Sequence, residues 1–287
     1  MKLTFDIAGQ VLVTMRGFGL ASCVESGSSS PHATDILRPA ALRGQAPKID
    51  PATGMAASAA VRLRQQSTPA VASERVGIVL ATQYGNRHIA SQFAGKVRKG
   101  QSSPSLYATS GYNICAGLSA LAAGINGPTL VLAGTSMGLT DALLTAALYI
   151  QRGDADVMYA GQTESNADGS EGMCTMFALS KPGAIIPEDS AQWQCEIVPP
   201  HAAIAANRPS ADEHEAVSMP RTWNLLQESE LTHMYEGIAI YAALSDEVPS
   251  EQLQGAAARQ GEHEEAGRIV CTGALRQLIV FSRKGEK

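Results

Sequence analysis

Several things are scarce in this chain of 287 residues. Aromatic residues make up only 5% of it, and its five cysteines (Cys23, Cys115, Cys174, Cys195, Cys271) are odd in number, widely spread and without a CxxC pair. That pattern excludes a disulfide framework and a thiolate zinc site, and it fits a reducing, cytoplasmic setting. The chain has no P-loop, no GxGxxG fingerprint and no cluster of metal-ligand residue types, so neither a nucleotide cofactor nor a metal is expected. It lacks a basic excess as well: the net charge of −5 argues against non-specific nucleic-acid binding. No apolar run approaches the ~18 residues that a membrane span requires. Asp6 interrupts any would-be signal core in MKLTFDIAGQ, so no signal peptide is expected.

What is abundant is small and apolar. The composition is 45% hydrophobic with 27 glycines, which suits closely packed helices and sheets and a sizeable core. The central stretch is Gly127 to Glu164, GPTLVLAGTSMGLTDALLTAALYIQRGDADVMYAGQTE. It reads as a strand over Thr129–Ala133, a helix over Gly138–Arg152 that is apolar on almost every side and hence interior, and a buried strand over Val157–Ala160. Ser136 falls at the strand-to-helix turn, where backbone N–H groups converge and the helix dipole favours negative charge.

Elsewhere, Gln10–Leu20 reads as a strand ending in a glycine turn, and residues 24–50 as a loop. Ala52–Gln66 reads as an amphipathic helix, Val76–Thr82 as a buried parallel strand with Tyr84-Gly85-Asn86 as the turn after it, and His88–Val97 as helical. Residues 182–220 have loop composition, Thr222–Leu244 could be one helix or two, and Gln252–Gly267 is charged and solvated. The end, RIVCTGALRQLIVFSRK, reads as strand–turn–strand.

The central stretch resembles the nucleophile segment of β-ketoacyl synthases, in the thiolase-like family. The resemblance runs upstream through SPSLYATSGYNICAGLSALAAGINGP, with Ser103-Pro104, Asn113, Ala116-Gly117 and the closing Gly124, Gly127 and Pro128. Downstream, GDADVMYAGQTE is similar to the family's Gly-Asp-Ala-Asp-Val-Met-x-Ala-Gly-Gly-x-Glu, and Phe177-Ala178-Leu179-Ser180 to its Phe-x-x-Leu-Ser. Ser136 stands where the family carries its catalytic Cys. The family's two histidine loops, its Lys and its Asp-x-x-Asp-Arg segment are missing. His201, His214, His233 and His263 lie downstream without glycine loops and read as solvated.

The resemblance implies an α/β, thiolase-like fold, layered α/β/α/β/α with a reduced second lobe. Residues 1–180 would form the ketosynthase-like lobe, and residues 181–287 a truncated, divergent one. It also implies a chain-length-factor-like, non-condensing subunit that forms a heterodimer with a ketosynthase in type II polyketide or fatty-acid (including polyene) biosynthesis. Ser136 would then have no catalytic role, because serine without an adjacent base is a poor nucleophile. Leu106, Tyr107, Ser110 and Tyr112 would line the acyl tunnel and control product length. Thr129, Leu130, Val131, Leu132 and Ala133 would form the dimer strand. An acyl carrier protein is the further partner implied, through the ketosynthase or at the basic run Lys96-Val97-Arg98-Lys99.

One rival comes from the residues themselves. Gly134-Thr135-Ser136-Met137-Gly138 is a G-x-S-x-G sequence at a strand–helix turn, with Asp246 and His263 following in the chain order of α/β-hydrolases. On that reading the chain is a serine acyltransferase or hydrolase. No HGGG-type motif precedes the pentapeptide.

Overall fold

The structure is a computed structural model. It describes residues 3–16, 19–24, 42, 48–66, 68, 70–134, 138–184, 193–198, 268–272 and 278–283. In chain order the described elements are β1 (Leu3–Arg16), β2 (Gly19–Val24), α1 (Pro51–Gln66), β3 (Val76–Thr82), α2 (Arg87–Arg98), α3 (Pro104–Thr109), α4 (Asn113–Ala123), β4 (Thr129–Ala133), α5 (Leu139–Arg152), β5 (Val157–Ser165), β6 (Glu171–Ser180), β7 (Trp193–Val198), β8 (Arg268–Thr272) and β9 (Leu278–Arg283).

The strands form one mixed sheet in the order β4-β3-β5-β6-β1-β7-β9-β8, with β2 hairpinned onto β1. β4, β3 and β5 are parallel; every other pairing is antiparallel. Parallel neighbours need crossovers, and here helices supply them: α2 to α4 lead from β3 to β4, and α5 leads from β4 to β5. All seven residues of β3 are buried, as befits a strand covered on both faces.

Two apolar layers flank the sheet. On one face, Leu139, Ala142, Leu143, Ala146, Ala147 and Ile150 of α5 pack on Val79, Ala81, Met158, Ala160 and Phe177. On the other, Met55, Ala56, Ala59, Ala60 and Leu63 of α1 and Cys115, Ala116 and Ala120 of α4 pack on Ile78, Leu80, Tyr159 and Met176. The alanines let helix axes approach the sheet closely. A cavity-forming change such as Leu143→Ala costs about 2–5 kcal/mol.

The helix expected to be interior on all sides is covered on one. The buried residues of α5 recur at spacings of three and four, while Leu148 is 43% exposed and Gln151 and Arg152 face outward. The sheet occupies only one flank of the helix among the described residues, so an apolar composition did not amount to burial all round. Gly153, at φ 81°, ends α5 in the left-handed conformation that glycine adopts without a Cβ penalty.

Two strands extend beyond expectation. The strand expected from Gln10 begins at Leu3, because LTFDIAG continues the pairing with β6 and β7 across an irregularity between Ile7 and Gly9. The strand expected to stop at Ala160 runs to Ser165; there the Thr163 hydroxyl donates to the Ala52 carbonyl and the Ser165 hydroxyl to the Asp50 carboxylate. β7 lies in a stretch expected to be loop, and it pairs with β1 in the same sheet. The expected helix within residues 222–244 and the charged stretch 252–267 lie outside the described residues.

Candidate functional site

The carboxyl ends of β3, β4 and β5 lie side by side. The connection leaving β3 runs over the α4 face of the sheet, and the one leaving β4 runs over the α5 face. Neighbouring strands whose connections depart to opposite faces open a crevice at their carboxyl ends, the usual place for a site in α/β sheets. Ser136, between β4 and α5, lies outside the described residues. Its flanks are described: the Gly134 N–H donates to the Thr82 carbonyl at 3.2 Å, and the buried Asp141 carboxylate accepts the Gly138 N–H at 3.0 Å at the start of α5. A carboxylate in the first turn complements the helix dipole.

The turn after β3 is held from several directions. The Glu164 carboxylate, fully buried at the end of β5, accepts the backbone N–H groups of Gln83 and Tyr84. The Gly85 N–H donates to the Thr82 hydroxyl at 2.8 Å. Gly85 has φ 58°, and a Cβ there would lie 2.7 Å from the Tyr112 ring, so the turn requires glycine on two counts.

Asn86, the next residue, is of a type that caps helices, yet its side chain makes no capping bond to α2. The buried Asp50 takes that role from a distant part of the chain: its carboxylate accepts the Ile89 N–H at 3.0 Å in the first turn of α2. Asp50 also caps its own helix, accepting the Ala52 N–H at 3.0 Å with Pro51 in the first helical position, and it accepts the Ser165 hydroxyl at 3.0 Å. Burial pushes its pKa up; the N–H donors from Ile89 and Ala52 and the Ser165 hydroxyl pull the other way.

The residues singled out for the tunnel fall in one segment, α3 and the start of α4, but do not face alike. Leu106 is buried, whereas Tyr107 is 69% and Tyr112 45% exposed. The Ser110 hydroxyl donates to the Tyr107 carbonyl at 2.9 Å. The Tyr107 ring lies 5.6 Å from Phe93 on α2. Val97, Arg98 and Lys99 of the basic run are exposed.

β4 is the edge of the sheet and pairs only with β3 among the described residues. Its ends, Thr129 and Ala133, are exposed. Leu130, Val131 and Leu132 are half-buried, the leucines leaning on the α5 layer and Val131 on the opposite one.

Neither Cys115 nor Cys174 offers a substitute nucleophile. Cys115 and Cys174 are fully buried; burial pushes the first thiol well up and the second to about 12, which keeps both protonated and inert. His201, His214, His233, His263 and Asp246 lie outside the described residues, and no metal-ligating cluster occurs among the described ones. Sequence reasoning missed the roles of Asp50, Asn86 and Glu164. The Asp50-Pro51 pair carried a helix-start signal; Asn86 was read only as part of a turn and Glu164 only as the last residue of a family-like segment.

No family model and no curated protein matches the chain. Solved structures do. One, described as the ishigamide ketosynthase/chain length factor, is similar over 98% of this chain and 99% of its own, at 15% identity and a TM-score of 0.53. A second, a ketosynthase (ApeO) in complex with its chain length factor (ApeC) from Xenorhabdus doucetiae, is similar over 98% of this chain and 100% of its own, at 15% identity and a TM-score of 0.50. The chain has the ketosynthase fold. The thiolase-like architecture expected from the sequence is therefore present, and the described residues supply three of its layers, helix, sheet and helix. The hydrolase alternative gains no support from these neighbours.

Proposed function

We propose that this chain is a chain-length-factor-like subunit. It pairs with a ketosynthase in type II polyketide or fatty-acid (including polyene) biosynthesis and shapes the acyl tunnel without condensing. The observation that carries the reading is a ketosynthase fold spanning 98% of the chain around a Ser136 that stands in the place of the family's Cys. The edge of β4, open among the described residues, supports a strand-paired partner: an unpaired row of N–H and C=O groups invites another chain. In this reading β4, Thr129 to Ala133, meets the ketosynthase, and residues 181–287 form a divergent second lobe. An acyl carrier protein delivers the growing chain to the pair, and the pair works in the cytoplasm. No described helix is long and apolar enough to cross a membrane.

Leu106, Tyr107, Ser110 and Tyr112 set the tunnel's reach. Ser136→Ala leaves turnover of the reconstituted pair nearly intact, since losing a hydroxyl at a helix start costs about 1 kcal/mol of stability and no chemistry. Leu106→Trp shortens the product, because forcing an acyl chain past an overpacked site costs about 1–3 kcal/mol. Product-length analysis of the pair decides: loss of turnover in Ser136→Ala with unchanged lengths in Leu106→Trp would reverse the roles.

A further inference from the structure

We infer that Asn86 is a positioning residue for length control: its side-chain amide fixes the Ser110 turn that lines the proposed tunnel. Its Nδ2 donates to the Thr109 carbonyl at 2.9 Å and to the Gly111 carbonyl at 3.1 Å, one on each side of Ser110. Its Oδ1 accepts the Thr53 hydroxyl at 2.6 Å. The amide can be oriented only one way, because carbonyls accept and never donate. Asn86 is 1% exposed, so losing one of these bonds leaves its buried amide with an unsatisfied polar group.

The arrangement differs from ordinary packing in what it diverts. An Asn at a helix start usually caps that helix. Here Asp50 accepts the α2 N–H instead, and the Asn86 amide is spent on a segment 23 to 25 residues further along the chain. The same turn grips that segment again where the Tyr112 ring lies against Gly85. The position of Ser110 is thereby set from the carboxyl end of β3, a strand buried along its whole length.

The inference rests on the proposed length-control function, and the test separates the two. The chain paired with its ketosynthase is compared as wild type, Asn86→Asp, Thr53→Val and Asp50→Asn, with Ser110→Trp as a tunnel control. Hydrogen exchange is read over residues 106–112, and product lengths and total condensation rate are read on the same samples. Asn86→Asp keeps the shape and removes both donors. The expected result is exchange raised about tenfold at 106–112 in Asn86→Asp, a broadened length distribution, and a total rate within about twofold of wild type. Thr53→Val shows the same change more weakly. Asp50→Asn, which loosens the starts of α1 and α2 but keeps the donors to the Thr109 and Gly111 carbonyls, lowers stability and changes lengths less than Asn86→Asp does.

Unchanged exchange at 106–112 in Asn86→Asp overturns the inference whatever the chain's function. Raised exchange with unchanged lengths, while Ser110→Trp alters them, overturns it and spares the tunnel. Lengths indifferent to both Ser110→Trp and Leu106→Trp overturn the tunnel assignment and the inference with it.

Discussion

Asp50 ties three elements with one carboxylate, holding the starts of α1 and α2 and the end of β5. Asn offers one acceptor oxygen where Asp offers two, so Asp50→Asn turns an N–H toward an N–H donor and is expected to cost about 1–3 kcal/mol at neutral pH. Its effect on pH dependence follows from burial. The folded pKa lies above the ordinary 3.8, so between those two values the folded chain holds the proton that the unfolded chain has released. Stability contributed by Asp50 therefore falls as pH rises through that window. Urea melts of both forms from pH 3 to 7 check this: the wild-type-minus-variant difference should decline as pH rises above the ordinary carboxylate value of 3.8. A difference that climbs with pH would mean that the hydrogen bonds outweigh burial. None of this was legible in the sequence, beyond a helix-start signal at Asp50-Pro51. Apart from Ala52, the partners of Asp50, Asn86 and Glu164 lie tens of residues away, and spacing along a chain says nothing about a hydrogen bond closed by the fold.

Elements were more legible than residues, because period and punctuation are local. β3 and β4 have the bounds their apolar runs indicated, and α5 starts one residue late. What composition could not convey was which side of an element is covered. α5 is apolar nearly all round yet lies against the sheet on one flank, and β1 looked like a strand only where its apolar residues are dense. β4 was expected to be an interface, and the structure places it at a sheet edge with exposed ends. If that edge meets the ketosynthase, Thr129→Lys with Ala133→Lys should abolish pairing, since lysines on an edge strand oppose strand addition. Both side chains are exposed, so the chain's own stability should move by no more than about 0.5 kcal/mol. Size-exclusion chromatography of the co-expressed pair reads the first effect and a thermal melt the second. A heterodimer that survives both lysines would assign pairing to another surface.

At the scale of the molecule, the site is assembled by topology: three parallel strands end together, and the helices that follow two of them, β3 and β4, leave toward opposite faces. That much follows from a sequence that reads strand, helix, strand, helix, strand through residues 76–165. The exposed flank of α5, with Leu148 bare, and the open edge of β4 leave apolar and hydrogen-bonding surface uncovered among the described residues. A partner that covers such surface binds the folded chain and not the unfolded one, so it must raise apparent stability by mass action. With free ketosynthase at a hundred times its dissociation constant the gain is about 2.7 kcal/mol. The expected outcome is a melting temperature of this chain that rises with ketosynthase concentration, while a double variant carrying Thr129→Lys and Ala133→Lys shows no rise. The lysines sit away from the Ser110 turn in the chain, so this arm tests assembly without touching length control. A melting temperature indifferent to the ketosynthase in both forms would leave the fold as described and remove the heterodimer. A rise in both forms would keep the heterodimer and move its interface off β4, toward the bare flank of α5.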